Sequence, residues 1–524
     1  MRRIALLLPL LLLHAASAHA LTLLTEGKVG VFRHDASGGG SAQITVGRDR
    51  ALASLEDPTV CPASASIRIA FYPAATNLVT GGPEVALPCE RWSRIPGGFL
   101  YRDPAGTAGG IRLVRYTQRG LYVDARSPGF QPVTGPVGYV QMWLTVGGTR
   151  YLVRLHDFLA NSANSVVSRR PSRDAAAGEA AFWDTLWGDA ERYDEAFTYL
   201  ERAVARDRRD ARSHFLIAMQ YLNLYGQKTA DLTHPPASAR RLVVESGKAF
   251  DRAVPLLWDG TNGDSRVPGF AAAATYAKGV GFRDAALTQQ GVADLEYATS
   301  INTLFNSFDL LAVAPAVSNK DPLYDRVIEL LDVTFPEVAV YCGTQQEICF
   351  NDGMAPHNLE GTFTLFGDIY AKGGRTESAR GYYNSALGLG ESSGWDPHFV
   401  AAVRDRLANL EERVARYTDD DPSNDPPFVG AGGAGPCAYC HQKSVHRVNG
   451  RVVHARDDAA ARIRVAAMLA ATGCTSFSTT RPGARSATST SWTDARSSRP
   501  TPCARDLANS AARCRRIRRR RATC

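Results

Sequence analysis

Residues 360–391, EGTFTLFGDIYAKGGRTESARGYYNSALGLGE, decide how the C-terminal half of this chain folds. Large side chains at Phe363 and Phe366, a glycine at Gly367 and an aromatic at Tyr370 are followed by Ala379, Tyr383 and Ala386. At this spacing the positions form the seam of a helix-turn-helix. The small residues let two antiparallel helices approach, and the large ones fill the space between them.

Outward from this unit the pattern recurs. Trp183 and Trp187 fall in one first helix, and Ala196, Leu200 and Ala203 in the second, with a turn at Arg192-Tyr193-Asp194-Glu195 between them. Ala211 opens another first helix, with His214, Ile217, Ala218 and Tyr221 in phase. The order large, large, small, aromatic, small, aromatic, small over 360–391 resembles the tetratricopeptide repeat (TPR), whose period is about 34 residues. The unit at 183–203 departs from that family at Asp184, where a glycine is usual, and at Arg208, where a proline closes the repeat. Between Ser238 and Phe335 the phase is lost while apolar stripes persist, as at Leu323, Val327, Leu330 and Leu331, so degenerate helix pairs are expected there. Val400, Val403, Leu407, Leu410 and Val414 continue as one amphipathic helix that caps the array. Asp396 ahead of Pro397 suits its start.

Residues 177–417 are thus expected to form an all-α TPR-like array. The resemblance implies a concave groove that holds a protein or peptide partner. By the family pattern its lining includes Arg212, Phe215, Met219, Leu222 and Asn223 in one repeat, and Thr364, Asp368, Ala371 and Lys372 in another. On a degenerate array the same residues would be solvated surface.

At the N-terminus, Arg2 and Arg3 precede an apolar run from Ile4 to Leu13 and the small-residue stretch Ala16-Ser17-Ala18-His19-Ala20. Residues 1–20 are expected to be a secretory signal cleaved near Ala18 or Ala20. The run is short for a bilayer span, and no later stretch is long and apolar enough for one, so no transmembrane segment is expected after cleavage. A periplasmic or secreted bacterial protein follows. Residues 21–160 read as short strands separated by Gly, Pro and Asn clusters. Alternation is clear at Ile67/Ile69/Phe71, Leu121/Val123, Val140/Met142/Leu144 and Tyr151/Val153/Leu155, and weaker over Lys28–Phe32. The expected fold class is multidomain, an all-β sandwich-like domain followed by the helical array, joined by a polar, Ala-rich linker at 161–176.

The length of 524 residues and 44% apolar content allow roughly two to four domains with sizeable cores. The net charge of +8 does not indicate a nucleic-acid partner, because its distribution is uneven. Residues 471–524 hold twelve Arg and two Asp with no Lys or Glu, a surplus of +10, so residues 1–470 carry −2. This tail is rich in Ser, Thr and Arg and poor in apolar residues, a composition expected to stay disordered. It is also the text that a shifted reading frame in a GC-rich gene produces. Ten cysteines in an exported chain are expected to pair or to bind a group. Cys61 with Cys89, and Cys342 with Cys349, are expected as two local disulfides.

Residues 418–436, with four prolines, acids and glycines, read as a flexible linker. It leads to Cys437-Ala438-Tyr439-Cys440-His441 in the segment 437–470. Two thiols at this spacing can meet the two vinyl groups of a haem, and the adjacent imidazole can take an axial position on the iron. The motif resembles the attachment site of c-type cytochromes, which implies haem c on Cys437 and Cys440 with His441 as axial ligand. Zinc held by these residues with His446 or His454, a redox dithiol, and a plain disulfide stay open as alternatives. Candidates for a sixth iron ligand are Met468, His446, His454 and His357; with none of them bound, the iron is open to small gases or peroxide.

No nucleophile-base pair, phosphate loop or paired acids is present as a motif, so the expectation is a non-enzymatic exported scaffold that binds a protein partner. With haem attached it would exchange electrons with a redox partner. Without it, it would be a TPR binding or assembly protein whose Cys-x-x-Cys-His holds zinc or is structural.

Overall fold

The computed structural model describes residues 20–34, 39–61, 65–74, 80–82, 84–126, 130, 136–186, 192–229, 233–311, 313–334, 359–393, 397–419, 421–428, 445–448 and 451–454. Residues 1–19 of the expected signal sequence and the tail at 471–524 lie outside these residues, whereas Ala20 opens the first strand.

The first part is a β-domain of two sheets. One sheet holds β1 (Ala20–Leu24), β12 (Thr149–Leu155), β11 (Val137–Val146), β4 (Ala65–Pro73) and β5 (Thr80–Gly81) in that order, with β6 (Val85–Leu87) also on β4. The other runs β13 (Phe158–Ser162), β14 (Ser165–Ser168), β2 (Val29–His34), β3 (Gly40–Val46), β10 (Gly120–Arg126), β9 (Ile111–Thr117), β8 (Gly98–Arg102), β7 (Trp92–Ile95). Pairing is antiparallel throughout except for β1, which lies parallel to β12.

The expected alternation sets the register of the first sheet. Phe71, Val140 and Leu155 form one cross-strand row, Ile69, Met142 and Val153 the next, and Ile67, Leu144 and Tyr151 the third. These rows share one core with Phe32, Ile44, Val114, Leu121 and Val123 of the opposite sheet. The Phe32 and Phe71 rings meet edge-on at 5.1 Å, and the Tyr116 and Tyr151 hydroxyls hydrogen-bond across the gap at 2.7 Å. Cys61 and Cys89 form the expected disulfide, with Cα atoms 5.6 Å apart. Cys342 and Cys349 lie outside the described residues.

Residues 161–176 are not a linker. They complete the β13–β14 hairpin, which pairs with β2, and then enter α1 (Arg173–Leu186). Its apolar residues Phe158-Leu159 and Val166-Val167 are adjacent rather than alternating, so the hairpin carries no period of two, and Val166 is its one deeply buried apolar side chain. The helical part starts at 173 because Ser172 caps it, its hydroxyl accepting from Ala175 N at 3.1 Å, and Asp174 in the first turn pairs with Arg202 and Arg206.

After α1 the described helices are α2 (Tyr193–Arg206), α3 (Ala211–Lys228), α4 (Ala237–Leu257), α5 (Val267–Phe282), α6 (Ala285–Ile301), α7 (Thr303–Leu311), α8 (Pro322–Glu329), α9 (Leu359–Lys372), α10 (Thr376–Ser393), α11 (Pro397–Ala408) and α12 (Leu410–Thr418). Successive helices pack as antiparallel pairs wherever small residues permit. A Cβ on Gly279 would stand 2.4 Å from Thr288 N, and one on Gly291 2.5 Å from the Tyr276 backbone, so α5 and α6 touch backbone to backbone. In α9 and α10, Phe363, Phe366, Tyr370, Ala379, Tyr383 and Ala386 are all buried. In the first pair Trp183, Ala196, Leu200 and Ala203 are buried, while Trp187 lies outside the described residues. The stripe from Val400 to Val414 belongs to two helices rather than one. The chain breaks at Asn409, whose amide turns back onto the Asp405 carbonyl and carboxylate. Val403 and Leu410 are nonetheless buried on the last pair, as a cap requires.

No helix among the described residues is long and apolar enough to cross a membrane. Within 437–470, Val445–Val448 (β15) and Arg451–His454 (β16) form an antiparallel hairpin.

Candidate functional site

The residues expected to line a groove are buried on one helix and half-buried, apart from Phe215, on the other. On α9, Thr364, Asp368, Ala371 and Lys372 lie at helical spacing on one face, and all four are buried. What covers them is the end of the array itself. Asp368 Oδ1 accepts from the Tyr383 hydroxyl at 2.5 Å, Arg406 Nε at 2.9 Å and Arg413 Nη2 at 3.2 Å, and Oδ2 accepts from Arg406 Nη2 at 3.3 Å. Burial acts to lower the Arg406 pKa, but the Asp368 carboxylate outweighs it and the pKa is raised. The Tyr383 phenol is pushed up, first by burial and then by the same carboxylate.

Beyond α12 the chain turns through Pro422–Asn424 and comes back over this cluster. Lys372 Nζ meets Asp425 Oδ2 at 3.3 Å and lies 5.6 Å from the centre of the Phe428 ring. Tyr417 donates to the Pro426 carbonyl at 2.6 Å, Arg413 Nη2 to Pro427 O at 3.0 Å, and Arg416 Nε to Asn424 O at 2.9 Å. The first part of the expected flexible linker 418–436 is therefore fixed on the helices; 429–436 lies outside the described residues. A cue was present in the sequence: Arg406 and Arg413 interrupt the apolar stripe of α11 and α12, and cations there need an anion beneath them.

In the other repeat the neighbours are other helices and, at Arg212, the seam with the β-domain. Phe215 of α3 is buried and the Arg212 side chain is 12% exposed. Arg212 Nη2 reaches Glu179 Oε1 at 3.3 Å, while Lys28 Nζ reaches Glu179 Oε2 at 2.6 Å. Phe215 packs edge-on to Phe250 and Phe270, Met219 and Leu222 join the same core, and Asn223 donates to the Tyr193 hydroxyl at 2.9 Å. Arg154 on β12 stacks 4.5 Å over Trp183 of α1, and Arg266 stacks 3.4 Å over Tyr139 of β11 while holding Asp264 through two bonds of 2.8 Å. Strands β11 and β12 are accordingly buried at every position, on both faces.

This seam is electrostatically uneven. Burial costs Lys28 part of its basicity. Burial also opposes ionisation of Glu179, but Lys28, Arg212 and Arg154 outweigh it and hold the carboxyl at about 2. His156, stacked on Tyr139, is pushed well below its ordinary value by burial and by Arg212, Arg266, Lys28 and Arg154, so it stays neutral. Beside the seam a cleft of 870 Å³ opens between the β-domain and the first helix pair, lined among others by Glu26, Arg48, Arg50, Trp183, Asp184 and Tyr199. Its charges are engaged in holding its walls: Asp184 takes both Arg50 and Arg192, and Asp49 accepts from the amides of Thr25, Glu26 and Ala51.

Cys437, Cys440, His441, Met468 and His357 lie outside the described residues. His446 and His454 occupy neighbouring register positions of the β15–β16 hairpin, opposite Val453 and Val445. Among the described residues, the group with metal-ligand proximity is Cys61, Cys89 and Glu90, and its two sulfurs are bonded to each other. No protein-family model, curated protein or solved structure matches this chain.

Proposed function

We propose that the protein is an exported helical-repeat scaffold carrying a covalently attached c-type haem, and that it exchanges electrons with a protein partner rather than catalysing a reaction. The observation that carries this reading is Cys437-Ala438-Tyr439-Cys440-His441, nine residues beyond Phe428, which packs on Tyr417. Its donor set fits haem c: two thiols for the vinyl carbons and an adjacent imidazole for the iron. The group would supply one-electron exchange; the chain would supply Cys437 and Cys440 to hold it, His441 to ligate it, and the helical array to carry it. The Cys61–Cys89 disulfide supports the export that haem attachment requires. Antiparallel pairs that cross at glycine and alanine support a TPR-like array. On α9 the positions that would line the family groove are buried, whereas on α3 Met219, Leu222 and Asn223 stay half-buried, so a partner surface of this kind would lie on α3.

The test is a haem stain on a denaturing gel and a visible spectrum of protein exported by a host with cytochrome c maturation, beside Cys437→Ala/Cys440→Ala. A covalent haem signal lost in the double variant supports the reading. Stoichiometric zinc, or protein with neither group, overturns it in favour of a scaffold whose Cys-x-x-Cys-His binds zinc or is structural.

A further inference from the structure

We propose that β1 is a strand-accepting edge whose occupant is β16 of the same chain, so that the hairpin at 445–454 adds two strands to the first sheet. β1 is the end strand of that sheet. It pairs with β12 on one side, and among the described residues no ladder is formed on its other side. An open edge presents a row of unpaired N–H and C=O groups, a template for any extended chain, and folded proteins cover it.

The strand that can cover it lies alongside. Cα atoms of β16 and β1 approach within 8 Å of one another. Sheets stacked face to face lie about 10 Å apart, whereas neighbouring strands of one sheet lie about 4.8 Å apart. β16 therefore stands beside β1 rather than on top of it, and β12 leaves it only the open side.

The hairpin needs this contact as much as the edge does. Its two strands have four residues each and are joined through Asn449-Gly450, the pair favoured in two-residue hairpin turns. A hairpin of that size is marginal in water by itself, and a third strand makes it stable. Register decides which backbone groups it can offer. Val448 and Arg451 flank the two-residue connection, so they exchange hydrogen bonds, and so do His446 and Val453 two positions on. Val452 and His454 fall between, and their N–H and C=O groups point away from β15, on the side where β1 lies. Alternate residues of β1 turn the same groups away from β12. Only backbone groups are involved, so this pairing stands with or without haem.

Hydrogen exchange with mass spectrometry on the full-length exported protein tests it, comparing the parent with Val452→Pro and with Asn449→Ala/Gly450→Ala. In the parent, amides of 445–454 should exchange at least about tenfold more slowly than in a synthetic peptide of the same sequence. Val452→Pro removes one outward N–H and spares the β15 ladder, a change that a free edge tolerates. Protection of 445–454, and of the outward amide within Leu23 and Leu24, should nevertheless fall at least about tenfold. The turn variant should lower both segments together. Thr149–Leu155 of β12 should keep its protection and reports that the sheet stays folded. An unprotected hairpin in the parent, or protection that Val452→Pro leaves unchanged in either segment, overturns the pairing. Protection that falls on dilution, with a dimer seen by light scattering, assigns the strand to a second copy and overturns the occupant. The same pattern is expected in Cys437→Ala/Cys440→Ala, which keeps this test separate from haem attachment.

Discussion

Lys28 at the edge of β2 and Glu179 in the middle of α1 meet at 2.6 Å, with side chains 7% and 2% exposed. This ion pair joins the β-domain to the helical part at a point closed to water. Glu179→Gln would leave Lys28 and Arg212 without their anion, and the expected loss is about 3 kcal/mol of unfolding free energy in urea. Lys28→Met combined with Glu179→Gln should recover part of that loss, because it removes one of the two orphaned cations. Equal losses in the single and double variants would contradict the pairing.

His156 makes the same seam sensitive to acid. Its folded pKa lies well below the ordinary 6.5, so between the two values the unfolded chain binds the extra proton. Stability is then fully present above about pH 6.5 and falls as the pH drops below it, by up to about 1.4 kcal/mol per unit. Glu179 acts lower: its folded value is about 2 against 4.5, so its contribution is present above pH 4.5 and is lost as the pH falls through about 2. Urea midpoints measured from pH 7.5 to 4 should show a shallower slope in His156→Gln than in the parent protein, chiefly between pH 6.5 and 4.5. Parallel curves would mean that His156 does not titrate in this way.

Gly367 lies under the ring of Tyr383, and a Cβ on it would stand 2.4 Å from Tyr383 Cε1. Gly367→Ala should cost about 1–3 kcal/mol through overpacking. Gly381, on the exposed side of the partner helix, has nothing within 4 Å of such a Cβ. Gly381→Ala should instead stabilise by about 0.5–1 kcal/mol, from helix propensity. Thermal melts of the two variants should move in opposite directions.

The Cys61–Cys89 disulfide closes a loop with a sequence separation of 28. Its removal as Cys61→Ser/Cys89→Ser should cost about 3 kcal/mol. The loss should appear as a lower urea midpoint relative to the oxidised parent and match the effect of reductant on the parent.

The inner face of the first sheet was legible in the sequence, because Ile67, Ile69 and Phe71 alternate with residues that do not belong to that core. Its outer face was not. Arg154, on that face, is fully buried because Trp183 of α1, further along the chain, lies against it. The α9–α10 pair was legible through Gly367 and Tyr383, whose sizes are complementary. The α9 half of the groove was not legible for a related reason: spacing places Asp368 and Lys372 on one helix face, but what lies on that face depends on Arg406, Arg413 and Phe428, further along the chain. The β13–β14 hairpin was not legible because Phe158-Leu159 and Val166-Val167 are adjacent pairs that carry no alternation.

A sheet buried on both faces also limits how the chain can be taken apart. Cut after β14, the β-domain would present Tyr72, Tyr139, Trp143 and Leu152 as one apolar strip beside Arg154. The helices, in turn, would lose the surface on which Trp183 and Arg266 rest. Strands and helices therefore make a single inheritance: a gene fragment that encodes one without the other would lay this seam open to water.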